Sequence, residues 1–166
     1  LMVSVSKNSG IITPCQLVYI DPNKSVEVKS ELDFDKLWHL WGIECGGAYI
    51  ALCNEAHGNW QKAISTAENL TKKELEGELL NKWQFQLPSI NVLGDCFFEK
   101  RKFAETIAMI QNTSFEADDW QEGWYWSKDE FGCKRAHTFD MNDGIYATHN
   151  RMDNNGFVRL ALVSCE

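Results

Sequence analysis

The chain has 166 residues, with 16 Lys+Arg against 24 Asp+Glu and a formal net charge of −8. That length supports one continuous core, so a single domain over 1–166 is expected, with the first 45 residues least defined. The basic residues are scattered rather than gathered into a stripe, which argues against a nucleic-acid partner, and no stretch approaches the ~20 apolar residues that span a bilayer.

Taken in chain order, residues 11–20 (IITPCQLVYI) and 25–30 (SVEVKS) are rich in β-branched and aromatic types and flank Asp21-Pro22-Asn23, which predicts two strands joined by a turn. Residues 31–42 (ELDFDKLWHLWG) fit neither period, and Gly46-Gly47 before AYIALC predicts a turn followed by a buried strand. In WQKAISTAENL, Trp60, Ile64, Ala67 and Leu70 recur at helical spacing, and Asn59 is placed to cap the helix. A second, short helix is predicted from Thr71, because Glu74 stands three residues on at the spacing of a capping box. Leu87-Pro88-Ser89 then breaks the chain, and Ser89 is the expected N-cap of one long helix carrying Val92, Leu93, Cys96, Phe97, Phe103, Ile107 and Ile110.

Beyond Asn112 the pattern changes. TSFEADDWQEG reads as loop, and WYWSKD, AHTFDM, GIYATHN and FVRLALVSC read as strands of an antiparallel meander, separated by Gly and Asn turns. Strands first, helices in the middle and strands last predict an α+β fold with antiparallel sheets, in which the two ends of the chain share a sheet.

Six cysteines, Cys15, Cys45, Cys53, Cys96, Cys133 and Cys165, contain no CxxC pair. They allow about 15 pairings, so disulfides and free buried thiols both stay open. The opening LMVSVSKNSG lacks the charged start and apolar run of a signal peptide, and a first residue of Leu rather than Met suggests a mature or trimmed form.

The ordered series IALCNEAHGNWQKA, WQFQLPS, a helix, WYWSKDE, AHTFDMNDG and GFVRLALV resembles a bacterial group of domains that includes the Fibrobacter succinogenes major paralogous domains, common in Bacteroidetes. The resemblance runs from about Ala48 onward and is best over the last third. Lys128 stands where that group favours a second Ser after Ser127, and Val92 or Leu93 stands where an acidic residue is common. What the resemblance implies is a C-type-lectin-like fold with two main helices in the middle of the chain, secreted or held at the cell surface.

The functional expectation is a non-catalytic binding module that recognises a carbohydrate or protein ligand through its C-terminal strands and loops. The candidate contacts are Trp120, Trp124, Trp126, Lys134, Arg135, His137, Tyr146, His149, Asn150 and Arg151. Alternation puts Trp124 and Trp126 on one face and Tyr125 on the other, with one face expected in the core and the other open for stacking. Polar residues on a framework of hydrophobic strands also suit the diversified display proteins of retroelements, and a structural or adhesive surface domain is a further alternative.

No cofactor is expected. The carboxylates Asp118, Asp119, Glu122, Asp129, Glu130, Asp140, Asp143 and Asp153 could supply oxygen ligands for calcium, although the loop motifs of sugar-binding C-type lectins are missing and Asn142-Asp143-Gly144 reads as a hairpin turn. His137 and His149 fall on neighbouring strands, where a metal pair could form. Formylglycine-generating enzymes share the implied fold, and such chemistry would bring Cys133 and Cys165 together in a cleft.

Overall fold

The computed structural model describes residues 10–21 and 25–165. The opening segment 1–9, and Pro22 and Asn23 of the first expected turn, lie outside the described residues. Strands β1 (Ile11–Ile20) and β2 (Val26–Leu32) pair antiparallel, and Asp21 N–H donates to Ser25 C=O at 3.0 Å to close the connection. The ambiguous stretch that follows resolves into a short 3-10 helix (Phe34–His39), capped by the Asp33 carboxylate, and then strand β3 (Leu40–Cys45). Gly46 and Gly47, with φ of 61° and 76°, form a two-residue turn into β4 (Ala48–Ala51). Both turn positions of such a hairpin need positive φ, which glycine adopts freely.

After β5 (Glu55–Gly58) comes helix α1 (Trp60–Glu74), with the Asn59 side chain accepting from Lys62 N–H as expected. Its apolar face buries Trp60, Ala63 and Ala67. The helix does not restart at Thr71. It runs on to Glu74, and the Thr71 hydroxyl instead accepts from Phe85 N–H at 2.8 Å. The second helix, α2 (Glu78–Lys82), starts after Gly77, and Trp83 belongs to strand β6 (Trp83–Gln86) rather than to the helix.

Ser89 caps α3 (Ile90–Phe98) through Val92 N–H at 3.2 Å, but the expected long helix is two, because the chain kinks at Glu99 before α4 (Lys100–Gln111). The Glu99 carboxylate accepts from Gly46 N–H at 3.0 Å, a tertiary contact that holds the kink against the β3–β4 turn. The loop of 112–123 leads into β7 (Trp124–Phe131), β8 (Arg135–Asp140), β9 (Ile145–Asn150), β10 (Gly156–Val158) and β11 (Ala161–Ser164).

Two sheets result, ordered β2-β1-β3-β4-β11-β6 and β5-β10-β7-β8-β9. The fold is α+β, and the first and last strands share a sheet, as expected. The meander is a correction in part. β7, β8 and β9 are consecutive and antiparallel, but β10 returns beside β7 in parallel and β11 leaves for the other sheet. One core cluster holds Leu17, Ile43, Leu93, Phe103, Tyr125 and Phe139; the other holds Val18, Trp60, Phe85, Trp126 and Leu162.

Candidate functional site

Strand β7 begins with three rings whose surroundings correct the expectation of an open aromatic face. Trp126 is fully buried and donates Nε1–H to Gly58 C=O at 2.8 Å. Tyr125, on the opposite face, is also fully buried; its hydroxyl accepts from Gln121 N–H and donates to Asn54 Oδ1. Both faces are thus covered at this end of the sheet, because α1 contributes Trp60 to one core and α4 contributes Phe103 to the other. Trp120 is also core. It packs on Phe103 and Tyr125 with centroids 5.2 and 5.0 Å away, and its buried Nε1 has no hydrogen-bond partner among the described residues. Trp120 and Trp126 therefore offer no ring to a ligand.

Trp124 is half-buried and already stacked. Its ring lies 3.7 Å from that of His149 with planes 9° apart, and Trp126 meets it edge-on at 5.0 Å. His149 Nδ1 is 2.8 Å from Thr138 Oγ1. Burial lowers the His149 pKa below the ordinary imidazole value, with Asp153 opposing and Arg135 adding to the shift, so the stack favours the neutral form of the ring.

Register decides which of the remaining candidates meet. Arg135 pairs with Asn150, Ala136 with His149, His137 with Thr148 and Phe139 with Tyr146. Side chains of paired residues share a face, so Arg135, His137, Tyr146 and Asn150 stand together, whereas His149 lies on the other side. The expected His137–His149 metal pair is ruled out by that offset of one residue. Among the described residues no group of three or more His, Cys, Asp or Glu is placed to hold a metal ion. Asp140 instead serves its own turn, its Oδ1 accepting from Asn142 N–H and Asp143 N–H, with Gly144 at a φ of 73°.

The bare part of the sheet carries Phe131, Arg135, His137, Tyr146 and Thr148. Arg135 is held flat, donating from Nε to Thr148 Oγ1 at 2.9 Å and from a terminal nitrogen to Thr148 C=O at 2.6 Å. Phe131 is 52% exposed and meets the His137 ring edge-on at 5.2 Å. Tyr146 is 58% exposed, packs its ring edge on Phe139 and brings its hydroxyl against Gly94 of α3, where a Cβ would stand 2.2 Å away. Helix α3 is pinned across the rest of this face, with Ile90 N–H donating to Asp129 Oδ2 at 2.6 Å. The surface is a shallow shelf of two exposed rings, an imidazole and one immobilised guanidinium.

The other candidates frame the shelf. Arg151 is a clamp: it donates to the carbonyls of Arg135 and Gly132, approaches Glu130 at 3.8 Å and lies over the Trp60 ring at 4.6 Å. Asn150 Oδ1 accepts from Met152 N–H, and exposed Lys134 accepts Arg151 N–H at its carbonyl. Phe131 and Thr148 were not singled out from sequence. Nor was Trp38, 75% exposed in the 3-10 helix.

A second concave feature is a cleft of about 390 Å³ on the six-stranded sheet, lined by Tyr49, Trp83, Gln86, Ser89, Val92 and Lys128 among others. The Tyr49 and Trp83 rings are 6.0 Å apart. The cysteines are all free thiols. Cys133 sits in the β7–β8 turn and Cys165 follows β11; the strands beside them belong to different sheets, and both thiols are exposed.

The residue that binds this architecture together is one the sequence did not mark. Arg159, fully buried, donates to the carbonyls of Ala51 (2.9 Å), Leu52 (2.6 Å), Asp118 and Asp119 (3.2 Å) and to Asn54 Oδ1 (3.2 Å). Its guanidinium is flanked by the rings of Phe103 and Trp120, at 5.1 and 5.0 Å. These contacts use the five N–H donors of the group and supply carbonyl dipoles and ring faces in place of a carboxylate. Compared with protein-family models, with curated proteins and with solved structures, the chain matches none.

Proposed function

We propose that this chain is a non-catalytic binding module of C-type-lectin-like fold, acting outside a bacterial cell, and that it recognises a protein ligand on the shelf formed by β7, β8 and β9. The fold assignment draws its support from the shared sheet of first and last strands, the helices between them and the second sheet built by the C-terminal half. The location rests on the family resemblance alone.

The observation that carries the ligand reading is Arg135 locked onto Thr148 between the exposed rings of Phe131 and Tyr146, beside the half-buried His137. Rigid aromatic and guanidinium groups bind with little loss of side-chain freedom, and they dominate protein recognition sites. A shallow shelf suits an extended or convex protein surface better than a single sugar ring. A carbohydrate ligand is the second reading, and it belongs to the cleft, where Tyr49 and Trp83 supply stacking faces and Gln86, Ser89 and Lys128 supply polar groups.

The test is a binding screen against immobilised proteins and glycans, repeated with Tyr146→Ala, Arg135→Ala and Trp83→Ala. Loss of a hit with the first two substitutions and its retention with Trp83→Ala supports the shelf; the reverse pattern supports the cleft. Hits insensitive to all three overturn both.

A further inference from the structure

Each sheet has two outer strands, and three of these four edges are defended. β2 carries Glu27, Lys29 and Glu31, with Lys29 paired to Glu27 and Asp33. β6 has its Phe85 N–H taken by the Thr71 hydroxyl of α1. β5 is four residues long and its register with β10 is broken by an irregularity. Charge, cover and irregularity are the usual ways of keeping an edge from pairing with another chain.

β9 is the least defended: Arg135 takes the Thr148 C=O and Asp153 N–H takes the Asn150 C=O near its end, but its first half, Ile145 to Ala147, carries neither charge nor irregularity. Its six residues, IYATHN, hold an unbroken register with β8 and include no Lys, Asp, Glu, Pro or Gly. Ile145 and Tyr146 are 55% and 58% exposed, and Ala147 is exposed as well. The two ends of the strand differ in charge. At its start lie Asp140 and Asp143, while the nearby Lys100 donates to the Met141 carbonyl and lies over the Phe97 ring. At its finish Lys134, Arg135 and Arg151 outnumber Glu130 and Asp153.

We infer that β9 is a self-association edge, and that two copies of this chain pair β9 to β9 antiparallel about a two-fold axis. An antiparallel pairing of identical strands sets the start of one beside the finish of the other, so the acidic turn of each copy meets the basic end of its partner. A parallel pairing sets like charges together and is disfavoured. Pairing adds main-chain hydrogen bonds along the outer side of β9, with Arg135 releasing the Thr148 C=O where the strands meet; Ile145 and Tyr146 lose exposed area, and the five-stranded sheet becomes continuous across both copies. The pairing uses the outer edge of β9 rather than the face that forms the shelf; Tyr146 belongs to both, and the substitutions below avoid it.

The experiment is the solution mass of the full chain by sedimentation and light scattering over a concentration series. Twice the chain mass is expected at high concentration. Ala147→Lys sets two like charges against each other mid-strand and should weaken the dimer at least tenfold, about 1.4 kcal/mol, with an unchanged melting temperature for the monomer. Asp143→Lys and Lys134→Asp are each expected to weaken it, and the two together to restore it, which only the antiparallel arrangement produces. A chain that remains monomeric at every concentration overturns the inference. So does a dimer indifferent to Ala147→Lys, or a double variant no tighter than the single ones.

Discussion

Trp124 and His149 stack with ring centroids 3.7 Å apart and planes 9° from parallel, and burial there favours the neutral imidazole over the charged one. Burial lowers the folded pKa below the ordinary value near 6.5, so the unfolded chain binds more protons than the folded one between those two values. Stability from this group is therefore complete above the ordinary pKa and is lost as pH falls toward the lowered one. Thermal melts between about pH 7.5 and 5 are expected to show a fall in melting temperature that is smaller in His149→Asn. An identical acid dependence in that variant would remove His149 as the cause.

Arg159 places its charge in the core, where each of its hydrogen bonds replaces water. Arg159→Ala strands the carbonyls of Ala51, Asp118 and Asp119 and opens a cavity between Phe103 and Trp120. A loss of about 3–5 kcal/mol is expected from denaturant titration, and Arg159→Lys is expected to recover little of it, because an ammonium cannot reproduce the planar fork.

Thr71→Val leaves the Phe85 N–H without its acceptor at nearly unchanged side-chain volume. The expected cost is about 1–3 kcal/mol, together with a rise in aggregation on heating as the β6 edge becomes available. Denaturant melts and turbidity report the two effects separately.

The thiols should separate into classes when titrated with a chromogenic disulfide reagent. Cys133 and Cys165 are exposed and should react first, and partly buried Cys53 more slowly. Cys15, Cys45 and Cys96 should react only on unfolding. Cys45 is the most resistant, since its hydrogen bond with Cys96 and then its burial push its thiol pKa well above the usual range. A buried thiol that reacts as fast as Cys133 would contradict this order.

Local signals in the sequence were read correctly where the chemistry is local. Asn59 and Ser89 cap helices because a side-chain acceptor three residues before an N–H needs no tertiary help. The Gly46-Gly47 turn is likewise local. The kink at Glu99 was hidden, because apolar spacing continues from Cys96 to Phe103 across it and the cause lies at Gly46.

The site depended on parity. His137 and His149 seem neighbours until the four residues between Asp140 and Ile145 fix the register, which places them on opposite faces. Trp126 and Trp120 read as candidate ligand contacts because nothing in their own strand or loop says what will cover them. Arg159 is the extreme case. Its five acceptors lie between 40 and 108 residues away, so in sequence it is only a charge in a hydrophobic strand.

Strand β11 comes last in chain order yet lies inside the six-stranded sheet, with β4 on one side and β6 on the other. Until residues 161–164 are in place, β6 has no neighbour in that sheet and β4 keeps an open edge. Folding of this half must therefore await a contact spanning more than 100 residues, as from Ala161 to Ile50, and such long-range closure is slow. The interval between emergence of β4 from the ribosome and arrival of β11 is when the chain is most exposed to misassembly, and a chaperone that shields strand edges would act there.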